Sequence, residues 1–236
     1  MTTARDLQRR LRDLGNPEAA AFVARYFKTG PGEYGEGDIF LGIRVPVLRK
    51  LAREHRGLPE DQVLLLLRSE VHEDRCLALL ILVLAVSRGD DAVKRRIYDL
   101  YLAHTRYVNN WDLVDLSARA IVGGYLLERS RAPLDRLARS RSLWERRISI
   151  VATHAFIVQG DHADTLRIAE RLLGDPHDLI HKAAGWMLRE VGKRDQPTLE
   201  RFLQTHHRRM PRTMLRYAVE RFPEERRRAY LQGTVE

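Results

Sequence analysis

The chain has 236 residues, enough to bury a substantial core in one large or two small domains. Its 41 lysines and arginines exceed its 32 aspartates and glutamates, and the formal charge of +9 favours a polyanionic partner. Charge alone does not distinguish nucleic acid from acidic lipid. The single cysteine, Cys76, excludes an internal disulfide and predicts a cytoplasmic protein, because the cytosol keeps thiols reduced.

The N-terminal half shows no segment that predicts membrane insertion. The first fifteen residues, MTTARDLQRRLRDLG, are charged and lack the apolar core of a secretory signal. The most apolar segment, residues 76–86, reads CLALLILVLAV and is too short to cross a bilayer. We therefore predict a helix buried on most sides, an inert Cys76, and no association with membranes.

Helical patterning continues almost from end to end, dominated by Ala, Leu, Arg and Glu. The longest irregular stretch, residues 28–38, reads KTGPGEYGEGD, and its glycines and proline also permit a simple tight turn. Other helix breaks are predicted at residues 57–59, 88–90, 131–133, 174–176 and 196–197. We predict an all-α chain that forms a single domain over residues 1–236.

Residues 107–126, YVNNWDLVDLSARAIVGGYL, predict an amphipathic helix whose N-cap comes from an asparagine pair. Trp111 and Asp115 are four residues apart and share one face of it, which Ala118 and Val122 continue. A separate buried stripe is predicted from helical spacing at Leu113, Leu116, Ala120 and Ile121.

Five helical segments also repeat, each opening with polar or basic residues and then turning apolar. Aligned residues follow one another at steps of 36, 36, 35 and 30 residues, a period that suits two helices plus turns. This spacing predicts a HEAT-like repeat α-solenoid, in which the concave surface is the usual binding face. The aligned residues are Arg75, Trp111, Arg147, Lys182 and Arg212.

The aligned residues are mostly basic, so they predict a basic concave face that includes Lys182 and Arg212. Trp111, Asp112 and Asp115 form an aromatic and acidic patch within it. A nucleic-acid-binding surface is one interpretation. The alternative is that the arginines and aspartates only form ion-pair ladders between repeats.

The chain resembles the AlkD family of DNA alkylation-repair glycosylases, which are built from HEAT-like repeats. The resemblance runs from about residue 25 to residue 222. It lies in YFKTGPGEYGEGDIFLGIRVPVLRKLA, NNWDLVDLSA, SLWERRISIV, HDLIHKAAGWMLREVGKRD and MPRTMLRYAVERF. It implies excision of N3- and N7-alkylated purines from double-stranded DNA, leaving an abasic site. It also implies that the cleft does not enclose the flipped base.

The resemblance assigns Trp111, Asp115 and Trp186 to the reaction centre, and Arg147 to the family's functional arginine. Other positions match residues at the DNA surface: Tyr26, Arg49 and Arg44, the last at a position where a relative carries a polar residue. An alkylated purine is already cationic and leaves without protonation. One carboxylate, Asp115, is then expected to stabilise the oxocarbenium-like sugar and to orient water. Asp112 points about 60° away from the Trp111 face and is expected to support it.

Two further functions remain open: a non-catalytic DNA-binding protein with the same fold, and a protein–protein scaffold. Trp111, Asp115, Arg147 and Trp186 together favour the enzyme. The nine histidines are scattered without metal-ligand spacing, so we predict no metal site, and we predict no cofactor. We expect a monomer without an obligate protein partner. The preferred lesion is left open.

Overall fold

The computed structural model of the protein describes residues 2–235, whose regular secondary structure is entirely helical, with no β-strand. A lone parallel bridge joins Ile39 to Val71. The described residues fall into two compact units that divide after Ile121. The all-helical architecture confirms the predicted fold class and agrees with an α-solenoid-like repeat fold. That the whole chain acts as one domain stays a prediction.

The first unit is organised around one buried helix, α5. Its apolar run packs against α3, α4, α6 and α7, and all residues from His72 to Leu82 are buried, which confirms the prediction for this segment. Burial raises the pKa of the Cys76 thiol, as expected for an inert core residue. The helices are α1 (Ala4–Asp13), α2 (Pro17–Tyr26), α3 (Val45–Glu54), α4 (Glu60–Leu67), α5 (His72–Arg88), α6 (Asp91–Ala103) and α7 (Trp111–Ala118), with a 3-10 turn at Thr105–Tyr107.

In the second unit, α13 packs between α10 and α15. Gly185 permits the close approach to α15, because a Cβ at this position would lie 2.5 Å from the Met214 carbonyl oxygen. The helices are α8 (Gly124–Leu126), α9 (Ala132–Ala138), α10 (Leu143–Ala152), α11 (His154–Val158), α12 (Ala163–Arg171), α13 (Asp178–Gly192), α14 (Gln196–His206), α15 (Arg212–Ala218) and α16 (Glu224–Gln232).

The helix predicted over residues 107–126 begins at Trp111, with Asn110 as its N-cap. Its predicted faces are partly wrong. Leu113 and Ile121 are buried, but Leu116 and Ala120 are half-buried. Ala118 and Val122, assigned to the other face, are fully buried. After Ala118 the reason is a π-helical turn at Arg119–Gly123, because the wider turn shifts every later side chain around the helix axis. Leu116 and Ala118 precede this turn, so it does not account for their burial.

Arginine–carboxylate pairs connect neighbouring elements at separations close to one repeat. Arg131 and Arg167 pair with acids 30 to 33 positions away, and Arg146 pairs with Asp175, 29 positions away, at 2.6 Å. Ion-pair ladders between elements therefore exist in this fold, at arginines other than the five aligned residues. No helix within residues 2–235 is long and apolar enough to span a membrane.

Candidate functional site

The N-terminus of α7 presents an aromatic cluster. Trp111, its first residue, stacks on Phe27 with ring centroids 4.8 Å apart and planes 11° from parallel. The Tyr26 ring meets the Trp111 ring edge-on at 6.0 Å and is itself 63% exposed. The Asn110 side chain accepts a hydrogen bond from the Trp111 amide at 2.8 Å, which caps the helix. Trp111 is thus half-buried and fixed from two sides, not enclosed in the core.

Behind this cluster, His72 lies between two carboxylates. Its Nε2 is 2.8 Å from Asp112 Oδ2 and its Nδ1 is 3.3 Å from Asp38 Oδ2. Burial alone would lower the pKa of the imidazole, but the hydrogen bonds to Asp112 and Asp38 outweigh it and raise the pKa of His72 to about 9. At neutral pH the ring is therefore an imidazolium that donates a hydrogen bond to each carboxylate.

Asp38, the last residue of the glycine-rich loop, collects several donors on one buried carboxylate. Arg75 Nη2 donates to it at 2.6 Å and Asn110 Nδ2 at 3.1 Å, in addition to His72. Its side chain is only 4% exposed. Burial would raise the pKa of Asp38, but the hydrogen bond from His72 and the charge of Arg75 hold that pKa below its ordinary value. The carboxylate stays ionised and anchors the loop.

Asp115 lies one helical turn after Trp111 and is half-buried. Asp115 takes part in a further bonding or electrostatic interaction. Its negative charge also affects the pKa of Tyr101. Burial raises the pKa of the Tyr101 hydroxyl, and Asp115 adds to that shift. Asp112 is 17% exposed at its side chain and is bound by His72. Asp112 therefore belongs to the buried network of His72, and the supporting role predicted for it stays a prediction.

A cavity of about 430 Å³ adjoins the network within the first unit. Its walls are mostly apolar, and Phe27, which stacks on Trp111, forms one of them. His72 and Asp112 supply polar atoms at its surface. The cavity and the aromatic cluster at the start of α7 therefore share the Phe27 side chain.

Arg147, which the resemblance assigns to the family's functional arginine, is 5% exposed in the second unit. Its Nη1 donates to the Leu179 carbonyl oxygen at 2.6 Å and so ties α10 to the first turn of α13. The structure gives Arg147 a clear packing role, and its contact with DNA stays a prediction. Arg75, another aligned residue, is also buried and pairs with Asp38 instead of lining an open face. The expectation of an exposed basic residue is wrong for Arg75.

Trp186, also in the second unit, is half-buried on α13. Its ring centroid lies 6.1 Å from that of His154. Glu190, one turn further along the same helix, accepts hydrogen bonds from Lys193 at 2.6 Å and from Arg194 at 3.2 Å. Burial would raise the pKa of Glu190, but these two bonds hold it below its ordinary value.

The remaining predicted DNA contacts are surface cations. Arg44 and Arg49 are exposed around the start of α3, and Arg212 is exposed as the first residue of α15. Lys182 is paired with Asp178 at 2.8 Å, with its side chain 40% exposed. All four therefore have the exposure that a phosphate contact needs, and the contact itself stays a prediction.

Sequence reasoning missed Asp38 and His72, and it placed Arg75 on an open face instead of in their buried network. A signal was present at the start of α5, where four consecutive charged or polar residues, HEDR, precede the apolar run. All four are buried, at 0% to 3% exposure. Buried charges need partners, so an uninterrupted polar start to a core helix indicates a network.

The sequence model of the DNA alkylation repair enzyme family matches residues 7–222. This chain belongs to that family. Membership implies that the substrate is DNA. No curated protein matches the chain.

Two solved structures share the fold of this family member. One is a protein from Enterococcus faecalis described as a predicted DNA alkylation repair enzyme, with a TM-score of 0.68 and 18% identity over 89% of this chain and 97% of that one. The other is smu.31 from Streptococcus mutans UA159, with a TM-score of 0.53 and 16% identity over 94% of this chain and 100% of that one. At such identities the likeness establishes the fold alone.

Proposed function

We propose that this family member is a DNA glycosylase that hydrolyses the N-glycosidic bond of cationic alkylated purines such as N3-methyladenine and N7-methylguanine. The observation that carries the proposal is the start of α7. There a half-buried tryptophan, fixed on Phe27 and flanked by the exposed Tyr26, stands one helical turn from Asp115. This combination supplies an aromatic surface and a carboxylate on the same helix.

The chemistry needs little more than these groups. A cationic base departs without a general acid, and its departure leaves positive charge on the sugar. Asp115 stabilises that charge and orients the attacking water. The indole of Trp111 attracts polarised C–H groups of the sugar and excludes water from one side. Because the base supplies its own activation, neutral lesions such as uracil are released poorly or not at all.

Arg147 and Trp186 are proposed as further residues of the reaction. Each assignment rests on the resemblance of its own sequence segment to the family. Tyr26, Arg44, Arg49, Lys182 and Arg212 are proposed as DNA contacts. Binding then becomes weaker as salt rises, because each neutralised phosphate releases counterions. Binding that hardly changes between low and physiological salt would contradict this part of the proposal.

The decisive experiment is single-turnover base release from duplex DNA that carries one N7-methylguanine. Asp115→Asn keeps the size of the side chain and removes its charge. Release above the spontaneous rate is expected to slow by about 10²- to 10³-fold while DNA affinity stays level or rises. Asp99→Asn is the matched control, since Asp99 lies on α6 with a 63% exposed side chain and only an i,i+4 ion pair. Release at the wild-type rate by Asp115→Asn would refute the catalytic role.

A second candidate is a non-catalytic DNA-binding protein. The buried Arg147, already hydrogen-bonded to the Leu179 carbonyl, favours it, because only the enzyme proposal needs this guanidinium as a residue of the reaction. Salt-dependent binding without base release from either methylated purine is the outcome expected for this candidate.

A further inference from the structure

The glycine-rich loop and the start of α7 meet at two points. Phe27, just before the loop, carries the stacked Trp111 ring. Asp38, at the loop's end, accepts the Asn110 side-chain amide at 3.1 Å. The residue before the loop thus contacts the ring of Trp111, and the last residue of the loop accepts a hydrogen bond from the side chain of the N-cap, Asn110. An irregular segment that only made a turn would need neither contact.

Two arms run from the Asp38 carboxylate to consecutive residues of α7. In the first arm, the Asn110 side-chain amide donates to Asp38 through Nδ2 and accepts from the Trp111 backbone amide through Oδ1. Both polar atoms of this side chain are therefore held. In the second arm, the His72 ring joins Asp38 to Asp112. Arg75 balances the charge by donating to the other Asp38 oxygen. Both arms are buried, where hydrogen bonds to charged groups are strong.

We propose that Asp38 is a positioning residue that acts through Asn110 and His72 to set the orientation of Trp111 and of the α7 N-terminus for base release. This inference rests on the proposed function for its effect on rate. It assigns a role to the loop at residues 28–38, which tethers the helix that carries the reacting carboxylate. Displacing a reacting group by about 1 Å can slow a reaction by roughly 10²-fold.

The test uses the full-length protein labelled with 5-fluorotryptophan, which gives one fluorine signal for each of the three tryptophans. Trp111→Phe identifies the Trp111 signal. Asp38→Asn is expected to shift that signal and leave those of Trp144 and Trp186 unchanged. It is also expected to slow single-turnover release of N7-methylguanine by about 10- to 100-fold, with DNA affinity unchanged.

Asp74→Asn is the matched control. Asp74 is a fully buried carboxylate on the same helix as His72, but it accepts hydrogen bonds from Ser69 and Gln8. Asp74→Asn should neither shift the Trp111 fluorine signal nor change the rate of N7-methylguanine release. An unmoved Trp111 signal in folded Asp38→Asn would overturn the inference, as would an equal shift in Asp74→Asn.

Asn110→Ser provides a second route if Asp38→Asn does not fold. Serine keeps a helix-capping oxygen but lacks the amide that donates to Asp38. A shift of the Trp111 signal alone supports the inference, and an unmoved signal refutes it. If the wild-type protein releases no methylated purine, the proposed function fails, whereas the fluorine signals still decide whether Asp38 sets the orientation of Trp111.

Discussion

The two units of this protein use the same arginine–carboxylate chemistry in different surroundings. In the first unit, Arg75 and Asp38 pair with both side chains 4% exposed, and His72 extends the pair to Asp112. In the second unit, Arg167 bridges Asp135 and Asp164 with its own side chain 39% exposed. The first arrangement is a closed network behind a candidate reaction site. The second is a ladder that water reaches.

The difference shows what a charged pair contributes in each setting. A pair that water reaches is screened and can be replaced by hydration, so it adds little to stability. A buried pair gains more from Coulomb attraction, but losing one member leaves the other without a partner in a poorly solvated place. The buried network therefore fixes geometry around α7, while the ladder only favours a spacing between helices.

The largest expected effect is on stability when the buried network is broken. Arg75→Ala leaves Asp38 with an unbalanced buried charge and should lower the free energy of unfolding by about 3–5 kcal/mol. Arg167→Ala should lower it by less than about 1 kcal/mol, because solvent replaces the lost contacts. Urea unfolding of both variants measures the contrast. Equal losses would show that the two arrangements do not differ as described.

The next effect is on pH dependence. His72 has a folded-state pKa of about 9, above the ordinary value of 6.5. The contribution of the charged His72 to the free energy of unfolding is therefore complete below pH 6.5 and is lost as pH rises towards 9. The free energy of unfolding should fall by on the order of 1–3 kcal/mol across that window. The difference between wild type and His72→Gln, measured at several pH values, isolates this term. A constant difference would contradict the imidazolium bridge.

A smaller effect is expected at Trp111. Because the ring is half-buried in a stack with Phe27, Trp111→Ala should lower stability by about 1–2 kcal/mol, less than the 3–5 kcal/mol typical of a fully buried tryptophan. Base release should fall as well. Thermal unfolding alongside single-turnover release separates the two roles. If Trp111→Ala loses about 3–5 kcal/mol of stability while each folded molecule releases the base at the normal rate, Trp111 is a packing residue.

The smallest effect is expected at Lys182, whose pair with Asp178 is 40% and 52% exposed at the two side chains. Lys182→Ala should change stability by no more than about 0.5 kcal/mol. If the lysine contacts a phosphate, the slope of log affinity against log salt should become shallower by about one unit. Titrations of duplex DNA at four salt concentrations measure this slope. An unchanged slope would remove Lys182 from the DNA-binding surface.

Local patterns in the sequence were enough to predict much of this fold. The run at residues 76–86 predicted a buried helix, because eleven apolar residues exceed the usual length of a strand and are too few to cross a bilayer. Asn110 predicted the start of α7 for an equally local reason, since its side chain caps the nearest free amides. The faces of that helix after Ala118 were not predictable, because the π-helical turn depends on packing.

What the sequence determined by itself is the helical class, the family, and the candidate pair Trp111 and Asp115. The class and the pair depend on local spacing, and the family depends on segments that can be matched in order along the chain. The tertiary structure decided which charged residues are buried and what they bind. Asp38 and Asn110 are separated by 72 positions and His72 and Asp112 by 40, so no local periodicity connects them. These pairs form only in the folded chain, because folding removes water from the charged groups and each group must then find a partner within hydrogen-bonding distance.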